Sequence, residues 1–466
     1  MAKNYQKGSI TPALLIITGT FLVVIYGLLM LLSLQLDYSH RRVASEEALN
    51  IAEAGVHYYR WHLAHAPEDF TDGTGVEGPY VHVYKDPQGR EIGEYSLDII
   101  PPQEGSSIVT IRSTGISYDN ADIARTITVQ YGKPSFAKYA FLNNASAWYG
   151  DNITVHGDIH SNNGIRMDGT NTGRVTSYKD EYMCGSETGC SPPRRMPGVW
   201  GSGGDQSLWE FPVSLIDFDT VAFDFSDMRD SAISEGLHLP DSDHYGYHLV
   251  FNADGTVTIS RVTRVNDYWG YSPPGEGLGE AGQGGCRRRD QIIDRETTIG
   301  TYNLEDTPII FAEDDLWVEG TVNGRVTVVA AGFPVASRTQ NIWINNNIVY
   351  EGSDDVLGLI AQNDIYFVRN VPEDFRINGA LLAQKGRIIR HRYFWLCGSS
   401  SHNVKDSLTI FGALISKEKS YWNYGGEPPD SGFITRTIIY DGRLLYAPPP
   451  FFPTTGEYEF ISWKEE

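Results

Sequence analysis

From Ile10 to Leu36 the chain carries no charged residue and no histidine. Its core, ALLIITGTFLVVIYGLLMLLSL, meets the length of about 20 apolar residues that one bilayer-crossing helix needs. In lipid such a segment has to be helical, because its backbone groups must be satisfied within the segment. Lys3 and Lys7 precede the run and Arg41 and Arg42 follow it, so charge asymmetry alone does not orient it. A cleaved secretory signal would have a shorter apolar region ending at a small-x-small site, and neither is present. The helical pattern continues past the bilayer. Residues 40–65, HRRVASEEALNIAEAGVHYYRWHLAH, contain no proline, and Ala44, Ala48 and Ala52 recur at every fourth position. Leu49, Ile51, Gly55, Tyr59 and Leu63 extend an apolar face beside them until Pro67 stops the helix. The pattern predicts one helix of roughly 55 residues, about 80 Å at 1.5 Å per residue. The small-residue stripe lets another backbone approach closely, whether from a second subunit or from the chain's own globular part.

The order of features here is specific: a short basic leader ending Lys7-Gly8, the small residue Ser9, an apolar helix, then ALNIAEAGVHYY. It resembles the N-terminal region of type IV pilins and their secretion-system counterparts, in particular minor pilins of the PilX type. The resemblance implies cleavage between Gly8 and Ser9 by a prepilin peptidase. It also implies packing of the helix against other subunits, with Ala13, Ala44, Ala48, Ala52, Glu53 and Gly55 as helix-assembly residues. The segment Ala52-Glu53-Ala54-Gly55 fits the PilX-type motif. One departure stands out. Most pilins carry a glutamate five residues into the mature chain, where it neutralises a neighbour's amino terminus, and here that position is Ala13, beside Pro12. An uncompensated charge in lipid is costly, so a subunit lacking that neighbour should lack the acid. A tip or initiating subunit is in that situation.

The whole chain of 466 residues, 41% of them hydrophobic, leaves room for two or three domains. The 48 glycines and 27 tyrosines, interleaved with Val, Ile and Thr, argue for many short strands joined by tight turns. A net charge of −22 argues against nucleic-acid binding and for a soluble, self-repelling ectodomain. The expected fold class is mainly β with one long N-terminal α-helix, a small antiparallel sheet, and a parallel β-helix (solenoid)-like ectodomain. A β-sandwich ectodomain is the alternative. The expected segments are a prepilin-type leader at 1–8, the transmembrane and amphipathic helix at 9–66, and a pilin-like sheet at 67–132. A first part of the solenoid follows at 133–178. An insertion with a helix and a hairpin occupies 179–300, and the second part of the solenoid with a C-terminal strand occupies 301–466. The marks GDIHSNNGI, WVEGTVNGRVTV, GLIAQNDI and YDGRL…PPPFFP…ISW resemble an uncharacterised bacterial family of pilus-assembly-associated surface proteins.

Cys184 and Cys190 bracket the loop GSETG and are disulfide candidates, with Cys286 and Cys397 as a second pair in an oxidising compartment. CxxC spacing is absent, so no metal is expected, and no cofactor either. Asp314 and Asp315 are the strongest candidate acidic pair, but adjacent strand residues face opposite sides. His156 with His160, and His62 with His65, read as structural or surface histidines. No HExxH, GxSxG, phosphate-loop or dinucleotide motif occurs, and the expectation is a protein that is not an enzyme. Loop aromatics are the better ligand-binding candidates: Trp395, Tyr421, Trp422 and Tyr424, suited to stacking on sugar rings or anchoring a protein. The leading reading is a non-enzymatic minor pilin-like subunit with a large head, in pilus assembly or surface adhesion. The alternatives are an unassembled membrane-anchored surface protein and a membrane-tethered β-helix carbohydrate-active protein. Expected partners are the membrane, other pilin subunits, and a surface glycan or another cell's surface protein. The expected location is the cytoplasmic membrane with an extracytoplasmic C-terminal region, or a surface filament if assembled.

Overall fold

The computed structural model describes residues 10–103, 105–216, 218, 225–274, 284–335, 338–398, 403–426, 428–454 and 457–465, which fall into two units. The first unit is built on helix α1, Thr11–His65, continuous over 55 residues. Pro12 sits in its first turn, where a missing N–H breaks no helical hydrogen bond. Every residue from Ile10 to Leu36 is exposed, and the run is long and apolar enough to cross a membrane. The second half of α1 lies on an antiparallel sheet of β1 (Tyr80–Lys85), β2 (Glu91–Ile100), β3 (Ile108–Ser117), β4 (Ala124–Gly132) and the final strand Glu459–Glu465.

The seam between α1 and the sheet is made by small residues on both sides. Ala44, Ala48, Ala52 and Gly55 are buried there, with Glu53 half-buried beside them. A Cβ on Gly115 of β3 would stand 2.2 Å from the Ala48 carbonyl oxygen and 2.5 Å from the Ala52 nitrogen. The alanine stripe thus seats α1 on the chain's own sheet, one of the two uses that its small residues allow. Ala13, by contrast, lies on the exposed half of the helix. The loop after α1 locks its end: Tyr59 Oη donates to the Asp69 carbonyl at 3.0 Å, and Tyr58 Oη donates to Asp72 at 3.0 Å.

The second unit is dominated by parallel pairing. One unbroken parallel ladder runs from Leu237–Leu239 through Ile309–Ala312, Arg325–Ala330, Val356–Ala361, Asp374–Ala383 and Val404–Ser416. It then passes to Phe141–Asn143, Ile159–Ser161, Val175–Ser177 and Trp209–Glu210. A β-sandwich would pair its strands mostly antiparallel. The early segment thus stacks beyond the late one, through Leu414 opposite Phe141. Residues 179–300 are not set apart as an insertion, because Leu237–Leu239 and Gly246–Asn252 pair in parallel with Ile309–Ala312 and Leu316–Val322. Likewise the terminal strand expected in the 301–466 segment belongs to the first unit's sheet. Helix α2, Phe225–Glu235, and the long antiparallel hairpin Thr256–Ser272 with Gly285–Asn303 complete this unit. Cys184 is bonded to Cys190 and Cys286 to Cys397.

Repeated positions in the ladders carry like side chains. Trp317, Trp343 and Tyr366 stack inside the core at centroid spacings of 6.3 and 4.2 Å. At the neighbouring corner, side-chain oxygens receive the next turn's backbone. Asp315 Oδ1 accepts from the Asn341 N–H at 2.8 Å, Asn341 Oδ1 from the Asp364 N–H at 3.2 Å, and Asp364 Oδ1 from the Arg387 N–H at 2.8 Å. Burial pushes the Asp315 carboxyl up to about 6. Asp315 is thus a corner residue whose lone pairs are used by the backbone.

Candidate functional site

A cavity of about 590 Å³ opens in the second unit. Its volume lies within the range of small-molecule sites, about 300–1,000 Å³. Four stretches distant in sequence build it. The strand Ala147–Tyr149 supplies Trp148 and Tyr149, and the loop inside the Cys184–Cys190 disulfide supplies Ser186 and Glu187. Strand Thr256–Ser272 brings Tyr271 near its end, and Pro273 and Pro274 continue the wall directly after it. The fourth wall is 419–426, with Arg436 beyond it.

Trp148 is held firmly. Its Nε1 donates to Asp168 at 2.8 Å, Asp168 pairs with Arg166 at 2.7 Å, and Arg166 lies 4.2 Å from the Trp148 ring and 4.9 Å from that of Trp200. Lys419 Nζ donates to the Glu187 carbonyl oxygen, so the disulfide-closed loop fastens the lysine at the wall. Burial pulls the Lys419 ammonium down to about 7; the Glu187 carboxylate opposes this and the Arg166 guanidinium adds to it. The carboxylate of Glu187 is itself turned to its own loop, accepting from the Gly185 N–H at 3.1 Å. Tyr421 and Tyr424 lie parallel with centroids 6.2 Å apart, and burial raises the pKa of both phenols. Behind Tyr421 is Arg387, 1% exposed, whose Nη2 donates to Ser272 Oγ and the Pro273 carbonyl, both at 2.9 Å.

Three of the four aromatic candidates meet at this cavity, but not all as exposed rings. Trp422 is 6% exposed and sits in the core between Phe141 and Phe367, at 6.0 and 6.1 Å, which corrects its reading as a loop aromatic. Tyr424 is partly buried, and its hydroxyl donates to the Arg390 carbonyl at 2.9 Å. Trp395 is 75% exposed and does not line the cavity; it lies in the short helical turn Trp395–Cys397, next to the Cys286–Cys397 bond. Gly8 and Ser9 lie outside the described residues. His160 is buried against Thr176 and Asn162, and His62 pairs with Asp69 at 3.1 Å, so both act structurally. Among the described residues, no group of three His, Cys, Asp or Glu side chains is placed to hold a metal ion. Sequence patterns alone did not mark Lys419, Arg436, the fixed orientation of Trp148 or the Glu187 loop. Lys419 sits in the polar run Ser416–Ser420, which carries no local sign of a site.

No family model matches the chain, and no curated protein matches it. Among solved structures, the competence-associated pilin ComZ from Thermus thermophilus aligns at TM-score 0.32 and 13% identity, over 91% of this chain and 97% of that one.

Proposed function

We propose that this chain is a non-enzymatic, type IV pilin-like subunit, anchored by α1 and carrying a β-solenoid head for pilus assembly or surface adhesion. The observation that carries this reading is α1 itself. One continuous helix has an apolar, fully exposed half and a second half seated on its own antiparallel sheet. An exposed apolar surface of this length needs lipid or the matching helices of neighbouring subunits. Leader, helix and ALNIAEAGVHYY together support membership of the PilX-like minor pilins. Ala13 in place of an acid, and the bulk of residues 133–456, support a position at the filament tip rather than along its shaft. The head then faces the cell exterior, where disulfides persist.

Processing is the direct test. Expressed with an active prepilin peptidase, the mature protein should begin at Ser9 by N-terminal sequencing. A mature chain beginning at Met1 under those conditions removes the pilin reading and leaves an unassembled membrane-anchored surface protein. Labelled antibody against the head should decorate filament ends; decoration along the shaft refutes the tip position.

A further inference from the structure

The chain carries a net charge of −22, but the cavity's lining is balanced: Asp151 and Glu187 stand against Lys419 and Arg436. A ligand with net charge of either sign meets two like charges there, so the walls favour a neutral one. Three of the four are also engaged within the protein. Lys419 donates to the Glu187 carbonyl, the Glu187 carboxylate accepts from the Gly185 N–H, and Arg436 is 9% exposed with contacts of its own. Asp151 differs. It is exposed at the rim, and its carboxylate has no hydrogen-bond or ion-pair partner among the described residues. The hydroxyls of Tyr271 and Tyr421, both on the lining, likewise have none there. A phenol hydroxyl both donates and accepts, whereas a carboxylate only accepts. The flat wall is Trp148, 42% exposed, with Nε1 tied to Asp168 and one ring face covered by Arg166 at 4.2 Å. Its orientation is set before any ligand enters, which lowers the cost of binding. A fixed ring beside open hydroxyl and carboxylate groups matches a pyranose, whose C–H bonds form an apolar side and whose hydroxyls, each donor and acceptor, form its edges. A proline-rich peptide also lies on aromatic walls, but its imide nitrogens carry no hydrogen and leave Asp151 without a donor. A quaternary ammonium suits the rings but is opposed by Lys419 and Arg436.

We propose that this cavity binds a neutral pyranose unit of an oligosaccharide, its C–H side on Trp148 and its hydroxyls bonded to Asp151, Tyr271 and Tyr421. The proposal rests on the adhesion reading of the head and names the ligand class that the head would hold.

The test uses the full chain in detergent, with neutral trimers of galactose, glucose and mannose, a galacturonate trimer, and a proline-rich peptide as probes. Binding is read by tryptophan fluorescence and by titration calorimetry. At least one neutral trimer should bind saturably, and about tenfold or more tightly than the galacturonate trimer and the peptide. Trp148→Ala should weaken that trimer by about tenfold or more, as loss of a central aromatic contact does. Asp151→Ala should weaken it by about tenfold through the lost charge-assisted hydrogen bond. The Asp151 side chain holds nothing else among the described residues, so this variant should unfold at the same temperature as the parent and stays informative even if Trp148→Ala does not fold. Failure of every neutral trimer to bind, tighter binding of the galacturonate trimer or the peptide, or unchanged affinity in Asp151→Ala would each overturn the proposal. None of these outcomes bears on cleavage after Gly8, and a chain that binds the trimer but begins at Met1 keeps the sugar site while losing the pilin reading.

Discussion

His248 is held between two carboxylates, with Nδ1 2.7 Å from Glu296 and Nε2 3.1 Å from Glu319. Burial alone would lower the imidazole's pKa, but the Glu319 hydrogen bond and the Glu296 charge outweigh it and raise the value. The same contact holds Glu319 below its ordinary range. The two signs oppose each other. A raised histidine contributes stability below its unfolded value of about 6.5, and loses it as pH rises through the folded value. A depressed glutamate contributes above about 4.3 and loses it as pH falls through its lowered value. The triad should therefore stabilise most near pH 5–6, on the order of those two reference values. His248→Gln should cost about 1–3 kcal/mol there and progressively less as pH rises above about 6.5, measured by thermal unfolding of both proteins across pH. A gap that stays constant from pH 5 to 9 would mean that charge plays no part. Of these partners, only the residue types were legible in the sequence, since Glu296 and Glu319 lie 48 and 71 positions away.

At the scale of elements, the seam between α1 and β3 depends on absent side chains. Gly115 faces Ala48 and Ala52, so a larger residue there must push the helix off the sheet. Gly115→Val should cost at least about 1–3 kcal/mol, the usual penalty of overpacking. Amide exchange should show faster opening of β2, β3 and β4, with the parallel ladders of the second unit unchanged. Exchange unaltered in β2–β4 would show that the seam tolerates separation. In the ladders a similar constraint falls on Gly412, at φ +153°, where a Cβ would stand 1.9 Å from the Gly379 carbonyl oxygen. The helix was readable because its 3.6-residue period is strong and unbroken. That its alanines face the chain's own sheet was not, because a small-residue stripe is equally suited to either partner.

At the scale of the whole molecule, the second disulfide joins residues 111 apart, where the entropic constraint on the unfolded chain is large. Replacing Cys286 and Cys397 by serine should cost about 2–4 kcal/mol in denaturant unfolding of the head. The Cys184–Cys190 pair closes a loop of sequence separation 6, so its removal should cost less stability and instead loosen Glu187 and Lys419 at the cavity. Equal destabilisation by both replacements would contradict this division. The two bonds thus act differently: one ties together remote segments, the other shapes a wall.

The sequence by itself determined the elements whose information is local. These are the apolar run and its helical continuation, the hairpin turning at Asn252 to Gly255, α2 within DFSDMRDSAISEG, and the four strands β1 to β4. Periodicity, turn residues and proline breaks act over a few positions, so they can be read without the fold. Only the tertiary structure decided that residues 141–210 stack beyond residue 416, that the last strand completes the first sheet, and that Trp422 is core while Lys419 lines a cavity. Short strands rich in Val and Ile are interchangeable as ladder partners. Their order is set by the summed packing of many turns, which no local pattern encodes.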